Sequence, residues 1–414
     1  MRKMALSFIK KEKQYRRLFL AGVVNGIGDR FSSVAVLALA IQLTGSGFAV
    51  GMTLAIRLLP FVIFAPIGGR LADRFSRKTI LVATDLIRIV FALSFLLVHG
   101  KEDLWIVYVS TFMLAVGEAV YAPARKSAIP LLVNKEHLLK INSLEQVLVG
   151  IVLIVGAFSG GIVSYLFGAG LTFLINAASF LGAAIILSSI TFPEKNSLQD
   201  EKLQQREKLI PTLKKVIILS VPVQILLFCE VVIASMNGID NVLITVYAIQ
   251  EYHLGDVGVG LFYGALGIGL TLSFSVANRL RKNILGIGLA SLMLEGAFLV
   301  VLSQTHYIAA AFLVFCGAAF MSGIGNACFD TVLMKEIPEE HQGTMFGLLA
   351  SIGNPLLGVS MLLSGAALEY LTPRTLGLIG GSAYMLIAIF LMVFLSVKRV
   401  RERETMTSPP FLKK

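Results

Sequence analysis

The sequence has little charge. Acidic and basic side chains make up 15% of its 414 residues, where a soluble globular chain carries about 25%. Hydrophobic residues reach 56% and mean hydropathy is +0.81. That balance excludes an ordinary water-soluble domain. Cysteine is scarce: Cys229, Cys316 and Cys328 lie in apolar runs, form no C-x-x-C pair, and read as small packing residues. Histidine is missing from the middle of every apolar run, because His99, His137, His253, His306 and His341 all fall in polar stretches or at run ends. A titrating carrier at membrane depth would therefore be a carboxylate. The chain also lacks a G-x-x-x-x-G-K-[ST] run, a metal cluster at ligand spacing and an intramembrane Ser–His arrangement, so an enzyme finds no support. No cofactor and no metal are expected.

What the chain does have is apolar runs, each of at least about 18 residues and so able to cross a hydrocarbon core about 30 Å thick as a helix. Twelve spans are placed: 17–43, 48–69, 79–99, 104–124, 141–167, 169–192, 216–250, 257–278, 284–303, 306–333, 343–370 and 374–397. The seventh is too long for a simple crossing, and its beginning is expected along the membrane surface. The first is too long for a signal-peptide core and is kept as a span.

Lysine and arginine test this layout, since short cytoplasmic loops hold them in excess. Of 36, 31 fall in the N-terminus, the loops after spans 2, 4, 6, 8 and 10, and the C-terminus; Lys101 and Arg374 fall on the opposite face, and Arg30, Arg57 and Arg88 within spans. Both termini are expected on the cytoplasmic side of a cell membrane, by this reading a bacterial inner membrane. The net charge of +11 is then a mark of topology, with anionic lipid head groups as partner and no role in nucleic-acid binding.

The chain is also duplicated. Gly51 lies 18 residues before Gly69-Arg70-Leu71, and Gly260 lies 18 before Asn278-Arg279-Leu280. Both copies then continue alike, as Lys78-Thr79-Ile80-Leu81 and Lys282-Asn283-Ile284-Leu285, except that the second lacks the equivalents of Ala72 to Ser76. The long polar interior stretch from about Glu194 to Lys215 divides six spans from six. The organisation expected is an N-terminal bundle over 1–192, a cytoplasmic linker over 193–215, a C-terminal bundle over 216–397 and a solvated tail over 398–414. Glycine-dense spans 5, 8 and 11 are expected as packing or rocking interfaces, because glycine lets helix backbones approach closely in a bilayer.

The run Gly69-Arg70-Leu71-Ala72-Asp73-Arg74-Phe75-Ser76-Arg77-Lys78 closely resembles the loop signature of the major facilitator superfamily, G-x-L-a-D-r-x-G-r-k, with Ser76 in place of the second glycine. Gly156-Ala157-Phe158-Ser159-Gly160-Gly161 is similar to that family's antiporter signature G-P-x-x-G-G, with Ala157 in place of proline. A third pattern is not intact: Gly117-Glu118-Ala119 is present, but Met113 stands where an arginine would be expected. Leu58-Leu59-Pro60, Asp85-Leu86-Ile87-Arg88, Ala122-Pro123-Ala124 and Pro338-Glu339-Glu340 followed by Gly343 resemble the branch of macrolide-efflux and siderophore-export proteins. The resemblance covers essentially the whole length. It implies two pseudo-symmetric six-helix bundles around a central site, alternating access, and a gating loop (Gly69, Asp73, Arg74, Arg77, Lys78) that ties the bundles together on the cytoplasmic side.

Ionisable groups at membrane depth cost at least about 2.5–3.5 kcal/mol, so each needs a reason. Asp29 lies 12 residues after Arg17, about 18 Å along a helix, with Asn25 on the same face. It is the leading candidate for binding substrate or a proton; an ion pair with Arg30 or Arg57 is the structural alternative. Glu230, Asn237 and Asp240 in span 7 are the candidates of the second repeat. Arg57 either holds an anionic group or neutralises Asp29. Asp85 and Arg88 read as a pair on one helix face; Glu145, Asp330 and Glu369 read as water-accessible span ends; Glu295 reads as peripheral.

These features suggest a monomeric secondary transporter exporting a small amphipathic molecule against protons, with sodium as the alternative ion. A lysolipid flippase or a sodium-coupled importer on the same scaffold is the alternative.

Overall fold

The computed structural model describes residues 12–44, 47–157, 163, 166–192 and 220–407, among which there is no strand. Twelve helices follow in order: α1 Lys13–Thr44, α2 Gly47–Arg74, α3 Arg77–Ser94, α4 Leu104–Leu132, α5 Leu138–Ile151, α6 Ala169–Ser188, α7 Val221–Val246, α8 Gly255–Ala277, α9 Ile284–Gln304, α10 Ile308–Glu336, α11 Gln342–Ala367 and α12 Pro373–Thr407. With short extensions they form twelve spans long and apolar enough to cross a membrane. Two helices end in a π-helical turn: α5 continues as Val152–Ala157 and α7 as Tyr247–Glu251.

These helices bury small and polar side chains alongside large apolar ones, and they also expose large apolar side chains. In α6, Thr172, Asn176 and Ser179 are buried, whereas Leu174, Leu181 and Ile185 are exposed. Lipid tails are as apolar as leucine, so helices associate through close packing and hydrogen bonds rather than by hiding apolar area.

Packing repeats between the halves. In the first bundle α1 lies against α6, α2 against α4, and α3 against both α4 and α6; in the second, α7 lies against α12, α8 against α10, and α9 against both α10 and α12. The interface between bundles obeys the same pseudo-two-fold: α2 meets α11 as α8 meets α5, and α4 meets α11 as α10 meets α5. Glycine permits the close approaches. A side chain on Gly150 of α5 would lie 2.5 Å from the carbonyl oxygen of Gly267 in α8, and one on Gly347 of α11 would overlap the carbonyl of Ala65 in α2.

The segment expected as a loop over Gly69–Lys78 is mostly helix. α2 continues through Arg74, only Phe75 and Ser76 break the path, and α3 begins at Arg77. In the second repeat α8 ends at Ala277, the counterpart of Gly68, and the chain turns through Asn283 in the left-handed region (φ 49), which Asn tolerates better than most residues. The five residues missing from the second copy, Ala72 to Ser76, are thus the last residues of α2 and the two-residue break after it.

Helix ends also differ from the expected spans. α4 runs on to Leu132, with Pro123 and Pro130 inside it, because neighbouring helices and polar groups re-satisfy the backbone that proline frees in a membrane helix. Arg125 and Lys126 therefore belong to the helix and not to a loop. α7 begins at Val221 with proline in its first turn, a favoured starting position; residues 216–219 of the expected span lie outside the described residues. α12 extends to Thr407, where a solvated tail was expected from Lys398. Its last stretch, Lys398-Arg399-Val400-Arg401-Glu402-Arg403-Glu404, is rich in good helix formers with opposite charges three and four apart. The linker over 193–215 lies outside the described residues.

Candidate functional site

The two bundles are joined at the face where the loops after α2, α4 and α10 gather, the basic face of the molecule. Asp73, on the last turn of α2, is 6% exposed. Its carboxylate accepts the backbone N–H of Gly343 (2.9 Å) and of Thr344 (2.7 Å) and the Thr344 hydroxyl (2.6 Å). Those donors open α11, where unpaired N–H groups and the helix dipole favour an anion. Gly69, one turn earlier, lies so close to Gly343 that a side chain would overlap the Gly343 carbonyl. Arg77 lies 3.7 Å from Asp73 and donates to the carbonyl of Glu339. Arg74 is exposed and Lys78 half-buried, so of the predicted gating residues Gly69, Asp73 and Arg77 form the contact. Lys135 with Glu339 (3.3 Å) and Asn142 with Thr331 (2.9 Å) add polar links between the bundles.

Above this closure lies a cavity of about 660 Å³. It extends from Lys126, Asp330 and Phe346 to Leu37, Leu54 and Met361, in the halves of α1, α2 and α11 remote from the basic face. Lys126 of α4 bridges to Asp330 of α10 (2.9 and 3.1 Å) and lies over the Phe346 ring at 5.2 Å, so the cavity floor is a contact between bundles. Glu230 of α7 also lines the cavity, with Lys126 and Asp330 as charged neighbours. Gly353 of α11 makes room for its carboxylate: a side chain there would lie 2.5 Å from Glu230 Oε1.

Asp29 reaches the cavity as part of a network. It accepts from Arg57 at 2.7 Å and from Arg88 at 3.2 Å. Arg88 is 1% exposed, lies 3.0 Å from Glu118 and 3.8 Å from Asp85, and rests on the Phe180 ring at 4.2 Å. Gly117 leaves space for the Arg88 stem, since a side chain there would lie 2.7 Å from its Cγ. Arg88 is thus the centre of an interhelical cluster and not merely the partner of Asp85. Asn25 is drawn away from the cavity: it donates to Asp85 Oδ1 at 2.7 Å and is 4% exposed. Glu145 is likewise no free span end, because it pairs with Arg125 (2.5 Å) and accepts from Tyr15 (2.7 Å) inside the first bundle.

In the second bundle the predicted residues separate. Asp240 lines a small pocket of about 10 Å³ with Tyr247, Phe262 and Phe315, apart from the central cavity. Asn237 does not line the cavity; its carbonyl accepts from Asn241, which does. Glu295 is 6% exposed within the bundle, hydrogen-bonded to Ser322 and Tyr384 and facing Asp240, so it is interior and not peripheral. Gly156 sits in the π-turn after α5, where a side chain would lie 2.8 Å from Arg30 Cβ; Gly160 and Gly161 lie outside the described residues.

Glu118, Lys126 and Asp330 were missed as site residues. Glu118 was visible as a carboxylate deep in an apolar run; Lys126 and Asp330 were read as loop or span-end residues because α4 and α10 were drawn too short.

A cavity between two pseudo-symmetric six-helix bundles, closed at one face by a carboxylate on a helix N-terminus, defines a membrane transporter class. Residues 18–359 match the Major Facilitator Superfamily, and the chain belongs to that family. Over 397 residues it is 24% identical to macrolide efflux protein A of Streptococcus pyogenes, covering 91% of this chain and 94% of the relative. It is 23% identical over 407 residues to the enterobactin exporter EntS of Citrobacter koseri, covering 96% and 95%. Among solved structures, the proton:xylose symporter XylE superposes with a TM-score of 0.70 at 14% identity, covering 92% of this chain and 96% of that one. The protein is a secondary transporter of small molecules, and not an enzyme.

Proposed function

We propose that the protein is a proton-coupled exporter of small amphipathic molecules in the bacterial plasma membrane. It works as a monomer by alternating access, with the basic face and both termini in the cytoplasm. The observation that carries this reading is the cavity closed toward the basic face by Asp73 on the α11 N-terminus. In this state an occupant leaves away from that face. The lysine and arginine excess on it supports a cytoplasmic orientation, with anionic lipid head groups beside it. The names of the full-length relatives, a macrolide efflux protein and an enterobactin exporter, support export. Two bundles joined by the linker at 193–215 rock about the α2–α11 and α5–α8 contacts.

Glu230 is our choice of proton carrier. Asp29 is held by two guanidinium groups, whereas Glu230 makes no ion pair among the described residues while lining the cavity. It lies beside the Lys126–Asp330 bridge that joins the bundles. An ionised Glu230 competes with Asp330 for Lys126 and a protonated one does not, which ties proton binding to bundle contact.

The test is accumulation of a panel of dyes, macrolides and siderophores by cells with and without the protein. At least one compound should accumulate less when the protein is present, and a protonophore should abolish that difference. Glu230→Gln should behave like the protonophore. Export that persists with the gradient collapsed refutes proton coupling, and normal coupled export by Glu230→Gln refutes the choice of carrier.

A further inference from the structure

Arg30 is the one cavity-lining cation with no acidic partner within ion-pair distance among the described residues. Its stem packs on the π-turn at Gly156 and it is exposed to the cavity. Near the midpoint of α1, it is too deep for its guanidinium to reach a membrane surface. The charged groups facing it are Arg57, Asp29 and Glu118, with Tyr263 of α8 across the interface. Both carboxylates are already engaged, Asp29 by Arg57 and Arg88 and Glu118 by Arg88. The third carboxylate of the cluster, Asp85, is fully buried behind Arg88 and bound to Asn25. Arg57 is 38% exposed and uses one nitrogen on Asp29, which leaves other donors of its fork free. The wall beyond these two arginines is apolar: Leu54, Leu58, Phe61, Leu349, Leu357 and Met361.

A guanidinium held at membrane depth and facing a cavity, with no carboxylate at ion-pair distance among the described residues, calls for an anion. We propose that Arg30, with the free edge of Arg57, forms an anion subsite, and that the transported molecule is an amphipathic organic anion whose apolar body lies on the α2–α11 wall. This rests on the reading of the cavity as the transport site. It assigns the acidic group of the substrate to Arg30 rather than a basic group to Asp29, which is already paired with two guanidinium groups.

The test uses the purified full chain in nanodiscs and three fluorescent probes that share one body: dansyl-undecanoic acid, its uncharged amide and the corresponding amine. The wild type should bind the acid roughly tenfold more tightly than the amide, the scale of a charge-assisted hydrogen bond, and the amine most weakly. Arg30→Gln should remove most of the acid's advantage while leaving amide binding unchanged, and Arg30→Lys should retain part of it. Equal binding of acid and amide by the wild type, or tighter binding of the amine, overturns the proposal whatever the variants do. A full acid preference in Arg30→Gln overturns the role of Arg30. The comparison is made at equilibrium without a gradient, so a failure of proton coupling or of export direction leaves it standing, and the reverse also holds.

Discussion

Replacing Asp73 by Asn tests the closure at the basic face. The carboxylate accepts three hydrogen bonds, two from backbone N–H groups at the start of α11 and one from the Thr344 hydroxyl, in a site 6% exposed. Hydrogen bonds to a charged group contribute about 1.5–3 kcal/mol each, and the anion also gains from the helix dipole. Asn keeps one acceptor oxygen but turns an amide N–H₂ toward N–H donors. We expect the closed state to lose roughly 2–3 kcal/mol, which moves the closed-to-open ratio by roughly 30- to 150-fold. Thr344→Ala removes only the hydroxyl contact and should lose about 1.5 kcal/mol, about tenfold. The assay is the distance distribution between spin labels at Glu136 and Lys335, both exposed and on opposite bundles at the basic face, in a background lacking Cys229, Cys316 and Cys328. Asp73→Asn should populate a longer distance, and Thr344→Ala a smaller fraction of it. An unchanged distribution in folded Asp73→Asn would refute the reasoning, because the carboxylate would then not be what holds the bundles together.

Gly267→Val should wedge α8 from α5, where the native glycine lies 2.8 Å (to an added Cβ) from the Gly150 carbonyl; the same spin labels should report opening, and a closed distribution would mean this contact carries no strain. Glu145→Gln should leave Arg125 buried without its counter-charge and lower stability by about 3–5 kcal/mol, read as a large drop in the thermal unfolding midpoint in detergent; an unchanged midpoint would mean water compensates the arginine. For orientation, single cysteines at Ser197 and Thr405 should resist an impermeant thiol reagent added outside intact cells while one at Glu102 reacts, and labelling at Ser197 would reverse the assignment of the basic face.

Twelve spans, their duplication and their grouping by sixes were legible in the chain itself. The reason is that a bilayer demands about 20 apolar residues per crossing and sorts lysine and arginine to one side, both of which are one-dimensional signals. Glu230 was visible as a charge that apolar surroundings make costly, and Asp73 through the resemblance of its loop to a family signature. Helix ends were less legible: Pro123 reads as a break in water but not in a membrane, so the end of α4 and the place of Lys126 came only from the packed helices. Which charges meet was decided by tertiary structure alone. Asn25 and Asp29 share a helix face, yet one serves Asp85 on α3 and the other joins Arg57 on α2 and Arg88 on α3. Asp29 and Arg30 are neighbours in sequence, yet one is doubly paired and the other faces the cavity with no acidic partner at ion-pair distance among the described residues. In helices that are apolar on every side, no hydrophobic period marks the inward face, and the rotation of each helix follows from where glycines and small residues let its neighbours approach.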